Sequence, residues 1–391
     1  MIKDKKFGPI LLIIFLFGLP FMTTTFAYNT ISKVSYYVIF FIILNLSLEL
    51  LFLFFYRKKN GYNFKKIPKI NFDKLIVKPH SNLPFVYKKN FYIENEDKIN
   101  YPLSNDYSTP RLKTNSLGFF NGQNGDREIV IPKPKGVLRI NCLGASTTGN
   151  YLKKDENIFS YPLELEKILS KNKKVEVNNC GQGGYNSADI LVRFLLQIID
   201  TEPDCIILYH AHNDIRSYLT KDFESDYSNS RDNIGTNYWK FYISNYLFDF
   251  KLNYLNYLIN KWLPNNDRYS LMQQIEKSQI NLNLDYSKGL KAFERNIQSI
   301  ITICKSKNIE LILSTFCFYL HEKALKNKLF ITYKKIVDEE NKIIKKLAST
   351  NNLKIVDNDK LIEKKDENFL DTIHFSPSGM KKIAKNFSQI I

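Results

Sequence analysis

Hydrophobic positions are unevenly distributed along this chain, and the first break comes early. Residues 7–32 carry no charged side chain and residues 34–56 carry only Glu49. Each stretch is long enough to cross a hydrocarbon core of about 30 Å as a helix. The connection from about Tyr28 to Lys33 is short, so the pair predicts a transmembrane helical hairpin over residues 1–56. Lys3, Lys5 and Lys6 precede it and Arg57, Lys58, Lys59, Lys65 and Lys66 follow it, against Lys33 alone between the spans. By the positive-inside rule both ends, and the whole C-terminal part, face the cytoplasm. A competing reading is a secretory signal cleaved near Thr25-Phe26-Ala27. The second span would still leave the remainder on the basic side. Glu49 is either a functional carboxylate inside the membrane or one lying near the interface or against the partner helix.

Residues 57–135 are polar, rich in Lys and Asn, and hold no sustained period, which predicts a juxtamembrane segment packing loosely on the domain after it. Pro132, Pro134 and Gly136 mark its end. Beyond them the texture changes. Strand-like apolar runs at Val137–Leu143, Val175–Asn178, Cys205–Tyr209, Ile309–Ser314 and Leu353–Val356 alternate with helical patterns near Tyr161–Ser170, Ser187–Ile199, Lys288–Lys305, Leu329–Thr350 and from Ser378 onward. Such alternation predicts an α/β domain over 136–391, a parallel sheet with helices on both faces. Active groups in these sheets gather on loops at the carboxyl ends of the strands, and Ser146, Gly184 and Asn213 each follow a strand-like run. The stretch 215–286 interrupts the pattern. Its aromatic core, Tyr238-Trp239-Lys240-Phe241-Tyr242 through Trp262, suits a cap over the site, with burial in a membrane interface or plain core packing as the other readings.

Composition adjusts this picture only slightly. The 391 residues are 44% hydrophobic and carry a net charge of +17. The basic residues are scattered lysines without an Arg-rich block, so nucleic acid is not an expected partner. Cys142, Cys180, Cys205, Cys304 and Cys317 are odd in number, lack metal-ligand spacing and lie largely in apolar runs, which suits buried free thiols in a reducing compartment.

The candidate chemistry lies in two distant stretches, Gly144-Ala145-Ser146-Thr147 and Asp371-Thr372-Ile373-His374. A serine hydroxyl needs a base to accept its proton, and the base needs a group that fixes its tautomer. Ser146, His374 and Asp371 can fill these roles. A tetrahedral oxyanion needs donors as well. The turn Asn179-Cys180-Gly181-Gln182-Gly183-Gly184 can present a backbone N–H, and Asn213 a side-chain amide. Other readings fit less well. A G-x-S-x-G elbow is absent, because Thr148 stands where its last glycine belongs. His210 and His212 alternate on a strand end and point to opposite faces, which favours a structural or pocket-lining role over a metal site. Gly181, Gly183 and Gly184 are not followed by the Lys-Ser/Thr of a phosphate-binding loop.

Together the four blocks around Ser146, Gly184, Asn213 and Asp371-x-x-His374 resemble the SGNH hydrolases, the GDSL esterase and lipase family. The resemblance covers 137–391 apart from the insertion. It implies a three-layer α/β/α flavodoxin-like fold and a serine ester hydrolase that forms an acyl-enzyme and uses no cofactor or metal. It further implies Ser146 as nucleophile, His374 as base, Asp371 as orienter, and Gly184 and Asn213 as oxyanion donors with the Ser146 N–H. Two positions depart from the family pattern: Ala145 replaces an Asp, and Ala211 a Gly. Thr114-Asn115-Ser116-Leu117-Gly118-Phe119 resembles a segment ahead of the catalytic domain in bacterial members, some linked to surface-polysaccharide modification. The expected partners are therefore an acyl ester of a glycan or lipid and a membrane, the bacterial inner membrane. An O-acyltransferase using the same site and a catalytically inactive scaffold are the rival readings.

Overall fold

The computed structural model describes residues 30–60, 76–228 apart from 79, 95, 221 and 222, and 281–391. Contacts divide the chain into two compact units, residues 1–70 with 239–265, and residues 71–238 with 266–391.

In the first unit, Thr30–Asn60 is a helix. Its side chains are described over 36–51, where Tyr36, Val38, Ile39, Phe41, Ile42, Ile43, Leu46, Leu50 and Leu51 are exposed while Asn45 and Glu49 are buried. Asn45 and Glu49 are four residues apart and so share one face. Asn45 Nδ2 donates back to the Phe41 carbonyl at 2.7 Å. Among the described residues no helix is long and apolar enough to cross a membrane. The first expected span, 7–32, lies outside the described residues except for its last three positions, which begin this helix.

The second unit is built on five parallel strands: β1 (Leu138–Gly144), β2 (Val175–Asn179), β3 (Cys205–Tyr209), β4 (Glu310–Ser314) and β5 (Lys354–Val356). Their order across the sheet is β2-β1-β3-β4-β5, the flavodoxin-like arrangement. Every residue of β3, the central strand, is buried, as expected for a strand covered on both faces. The covering helices are α1 (Tyr161–Leu169), α2 (Ser187–Arg193), α3 (Ser287–Ser306), α4 (Lys328–Asn351) and α5 (Pro377–Ser388). α1 packs on α5, and α3 packs on both α2 and α4.

Local signals explain where these helices begin and end. Ser160 caps α1 by accepting from the Leu163 N–H, with Pro162 in the first turn. Asn186 and Asp189 form a reciprocal capping box at α2. Ser376 caps α5, and α4 ends at Asn352 in the left-handed region (φ +51°). The helix expected through Ile199 is instead α-helical only to Arg193; it widens to a π turn over Phe194–Ile198 and tightens to 3-10 over Ile199–Thr201. Two long-range ties accompany the change. Gln197 Nε2 donates to the Leu117 carbonyl at 2.7 Å, and Thr201 Oγ1 accepts from Asn141 Nδ2 at 2.8 Å.

The segment expected to pack loosely is, in its described part, bound into this unit. Lys98–Tyr101 and Ser104–Ser108 join Leu152–Lys154 and Asn157–Phe159 in a four-stranded antiparallel sheet. Asn115 Oδ1 accepts from the Leu117 and Phe119 N–H groups, while its Nδ2 donates to the Arg127 carbonyl. Arg127 in turn reaches Glu166 on α1 at 2.5 Å and the β2 carbonyl of Val177 at 2.8 Å. The buried Arg193 guanidinium lies 4.6 Å from the Phe119 ring centroid. Single polar side chains hold the backbone of this segment in place, so it needs no continuous apolar face.

All five cysteines are buried free thiols, and burial raises each thiol above its ordinary range. The insertion is described at its two ends only, and its aromatic core from Tyr238 to Trp262 lies outside the described residues.

Candidate active site

Ser146 is placed by a turn that accepts only glycine before it. A Cβ on Gly144, the last residue of β1, would lie 2.1 Å from Thr148 Oγ1 and 2.4 Å from the Tyr209 carbonyl oxygen of β3. Freed of that clash, the chain passes Ala145 and starts a single helical turn, Ser146–Gly149, at the carboxyl end of the sheet. Tyr209, ending β3 below it, stacks on Phe316 at 5.0 Å and lies 6.0 Å from Phe375. The floor under Ser146 is thus aromatic and closely packed.

The glycine turn after β2 docks directly on this corner. Gln182 N–H donates to the Gly144 carbonyl at 3.1 Å. A Cβ on Gly181 would fall 2.3 Å from the Gly149 nitrogen, and one on Gly183 would sit 3.9 Å from Ser146 Cβ. Gly184 holds φ +81°, a conformation that disfavours any side chain. Neither the Ser146 nor the Gly184 N–H donates to a protein acceptor among the described residues. Asn213, on the loop after β3, ties to the same turn through Nδ2 and the Tyr185 carbonyl at 2.9 Å, leaving its second amide N–H.

Asp371 and His374 come from a closed turn near the C-terminus, where the Leu370 N–H donates to the His374 carbonyl at 2.8 Å. Asp371 Oδ1 accepts from the Ile373 and His374 N–H groups at 2.8 and 2.7 Å, and Oδ2 lies 2.7 Å from His374 Nδ1. His374 Nε2 lies 2.9 Å from Ser146 Oγ. A carboxylate at Nδ1 requires the N–H there, so Nε2 carries the lone pair that faces the hydroxyl. The three residues, scattered in sequence, form one chain of hydrogen bonds.

The electrostatics agree with that assignment. Burial alone would raise the Asp371 carboxyl, but the imidazole and three hydrogen bonds hold it down at about 2. Burial and the Arg216 guanidinium push the His374 imidazole down; the Asp371 carboxylate outweighs both and raises it. His212 is held at about 3, mainly by burial and then by Arg216, so it is neutral.

The β3 loop is itself anchored from below. Buried Asp214 accepts from the Ser187 N–H and, at 2.5 Å, from its Oγ. It also accepts from Tyr227 Oη at 2.6 Å and lies 2.6 Å from His210 Nε2. Asn296 Nδ2 on α3 donates to Ser187 Oγ at 2.8 Å. His210 is therefore a structural partner of Asp214. His212 takes φ +65° and sits among aromatic rings, stacked on Phe316 at 6.4 Å and edge-on to Tyr333 at 5.2 Å. Ala211 is buried in the core, and Ala145 accepts from the Thr148 and Gly149 N–H groups with its carbonyl.

Two site residues escaped the sequence analysis, both from the segment ahead of the sheet. The Tyr101 ring lies 5.9 Å from the His374 ring, and its phenol is raised to about 12 by burial and then by Asp371. Phe85 reaches within 3.7 Å of where a Gly184 Cβ would stand, and its carbonyl accepts from Tyr185 Oη. The one signal for Tyr101 was alternation with Ile99, two positions of partial burial in a strand of four residues.

No protein-family model and no curated protein matches this sequence. Among solved structures, the chain is similar to a lipase/acylhydrolase from Enterococcus faecalis: 16% identity, TM-score 0.39, covering 65% of this chain and 94% of that one. It is also similar to the acetyl xylan esterase AlAXEase (16%, TM-score 0.39, 65% and 99%). A third is a GDSL-like lipase from Bacteroides thetaiotaomicron (13%, TM-score 0.37, 65% and 87%).

Proposed function

We propose that this chain is a serine ester hydrolase of SGNH type that works through an acyl-enzyme. The observation that carries the reading is the continuous relay from Asp371 Oδ2 to His374 Nδ1 at 2.7 Å and from His374 Nε2 to Ser146 Oγ at 2.9 Å. In the proposed cycle Ser146 Oγ attacks an ester carbonyl while its proton passes to His374 Nε2. The N–H groups of Ser146 and Gly184 and the Asn213 amide take the oxyanion. The C–O bond to the alcohol breaks, and the alcohol leaves with the proton from His374. A water molecule then gives a proton to His374 and attacks the acyl-enzyme. The acid departs and the proton returns to Ser146.

The test is incubation of the full-length chain with a fluorophosphonate and with aryl acetates. Ser146 is expected to be labelled and the aryl esters hydrolysed, with both signals absent in Ser146→Ala. Labelling that persists in that variant overturns the nucleophile assignment.

The reading includes membrane anchoring, with an O-acyl glycan or lipid as substrate and the catalytic unit on the cytoplasmic side. Its support is the uncharged stretch 7–32, the flanking lysines, and the exposed apolar side chains over residues 36–51. A reporter fused after Ile391 is expected to be active in the cytoplasm; an exported reporter reverses the orientation.

A further inference from the structure

Arg216 lies three residues beyond Asn213, in the short helix Ile215–Tyr218 on the same rim as Ser146. Arginine side chains this close to a packed core are normally matched by a carboxylate or by carbonyl groups. This one is not: its Nε is buried without a hydrogen-bond partner, and no ion pair holds it among the described residues. Beside it stands a second unmatched group. Tyr333 on α4 is 2% exposed, and its Oη is likewise buried without a partner. Tyr333 packs edge-on against His212, the neighbour of Asn213, with ring centroids 5.2 Å apart. Arg216 is also near enough for its charge to act on three groups around it: it adds to the burial that lowers His212, and it opposes the net rise of His374 and Tyr333. The bonds available from nearby residues go elsewhere. Glu340 accepts from the His212 N–H and from Tyr218 Oη, and burial, then the Asp214 charge, push its carboxyl well above the usual carboxylate range. Asp371 is committed to His374.

We propose that Arg216 and Tyr333 form an anion-recognising subsite of the Ser146 pocket, selecting an ester that carries a carboxylate or phosphate group close to its scissile carbonyl. The guanidinium presents paired N–H donors that fit such oxygens in a fork, and the phenol adds a third donor. An anion there satisfies two orphaned groups at once. It also offsets the positive charge that opposes protonation of His374 during the reaction. This inference rests on the reading of Ser146 as the reacting centre, and its test is chosen to be independent of turnover.

The full-length Ser146→Ala protein is titrated calorimetrically with two ester pairs. One is an O-acetyl methyl glucuronoside against the O-acetyl methyl glucoside. The other is an acylglycerol 3-phosphate against the acylglycerol. At least one anionic ester is expected to bind tighter than its neutral twin by about tenfold or more, the size of one charge-assisted hydrogen bond. The pair showing the preference tells whether the anion is a carboxylate or a phosphate. Adding Arg216→Gln should abolish the preference, and Arg216→Lys should restore part of it. Equal affinities within both pairs, no binding of either anionic ester, or a preference that survives Arg216→Gln overturns the proposal. Failure of fluorophosphonate labelling in the unsubstituted protein strikes the esterase reading instead and leaves the binding preference standing.

Discussion

His374 Nε2 and Ser146 Oγ are 2.9 Å apart although 228 residues separate them in the chain. The contact forms because β1 and the turn before α5 both open on the same end of the sheet. Two groups that act as one unit are expected to be non-additive on removal. Ser146→Ala and His374→Ala should each lower kcat on an aryl acetate by about 10³-fold or more, and the double variant should be little worse than either. Multiplying losses in the double variant would mean that the two residues act separately.

The pH profile follows from the raised His374 imidazole. The ring must be neutral to accept the Ser146 proton, so kcat/KM should fall with decreasing pH, with an inflection above the ordinary value of 6.5. Asp371→Asn removes the carboxylate that raises it and leaves burial and Arg216, which lower it. The inflection should therefore move to lower pH while the plateau rate drops. An inflection unmoved by Asp371→Asn would assign it to another group.

The oxyanion assignment can be separated from folding. Asn213→Ala is expected to lower kcat by about 10²–10³-fold with little change in KM, because in the proposed cycle the amide bonds the oxyanion and not the ground-state carbonyl. Gly184→Ala is different in kind: its φ of +81° strains any side chain, so it should cost stability as well as rate. A KM effect without a kcat effect at Asn213 would place the amide in substrate binding alone.

The sheet and the relay were legible in the sequence for separate reasons. Strands such as Cys205–Tyr209 are buried at every position and read as unbroken apolar runs, and the residues after them inherit their place on one rim. Asp371 and His374 were legible because an i, i+3 spacing can close locally. Tyr101 and Phe85 were not, because their segment is held by side-chain bonds from Thr114, Asn115 and Arg127 to distant backbone, which leave no period to detect. The Thr114–Phe119 motif was visible, but its tie to the glycine turn was not: it runs through Arg193, whose guanidinium lies 4.6 Å from the Phe119 ring centroid and donates to the Cys180 carbonyl at 3.3 Å. Arg216 was passed over for a different reason: a single Arg among 56 Lys and Arg residues carries no signal until its surroundings are known.

Asp214 gives the sharpest test of how the site is supported from beneath. Burial alone would raise its carboxyl; the bond and charge of His210, followed by Ser187 and Tyr227, outweigh burial and hold it below its ordinary 3.8. A depressed folded pKa contributes stability that is present above the unfolded value and is lost as pH falls through the folded one. Asp214→Ala leaves the Ser187 and Tyr227 hydroxyls and the His210 ring without their shared acceptor, and is expected to destabilise the protein by about 3–5 kcal/mol. Asp214→Asn keeps the shape and loses the charge, so its Tm deficit relative to the unsubstituted protein should be largest near neutral pH and shrink below pH 3.8. Because Asp214 also pins the loop that carries Asn213 to the start of α2, the Asn variant should lose kcat while Ser146 still reacts with a fluorophosphonate. A Tm deficit that is constant from pH 7 to pH 3 would show that the carboxylate charge contributes nothing to the fold.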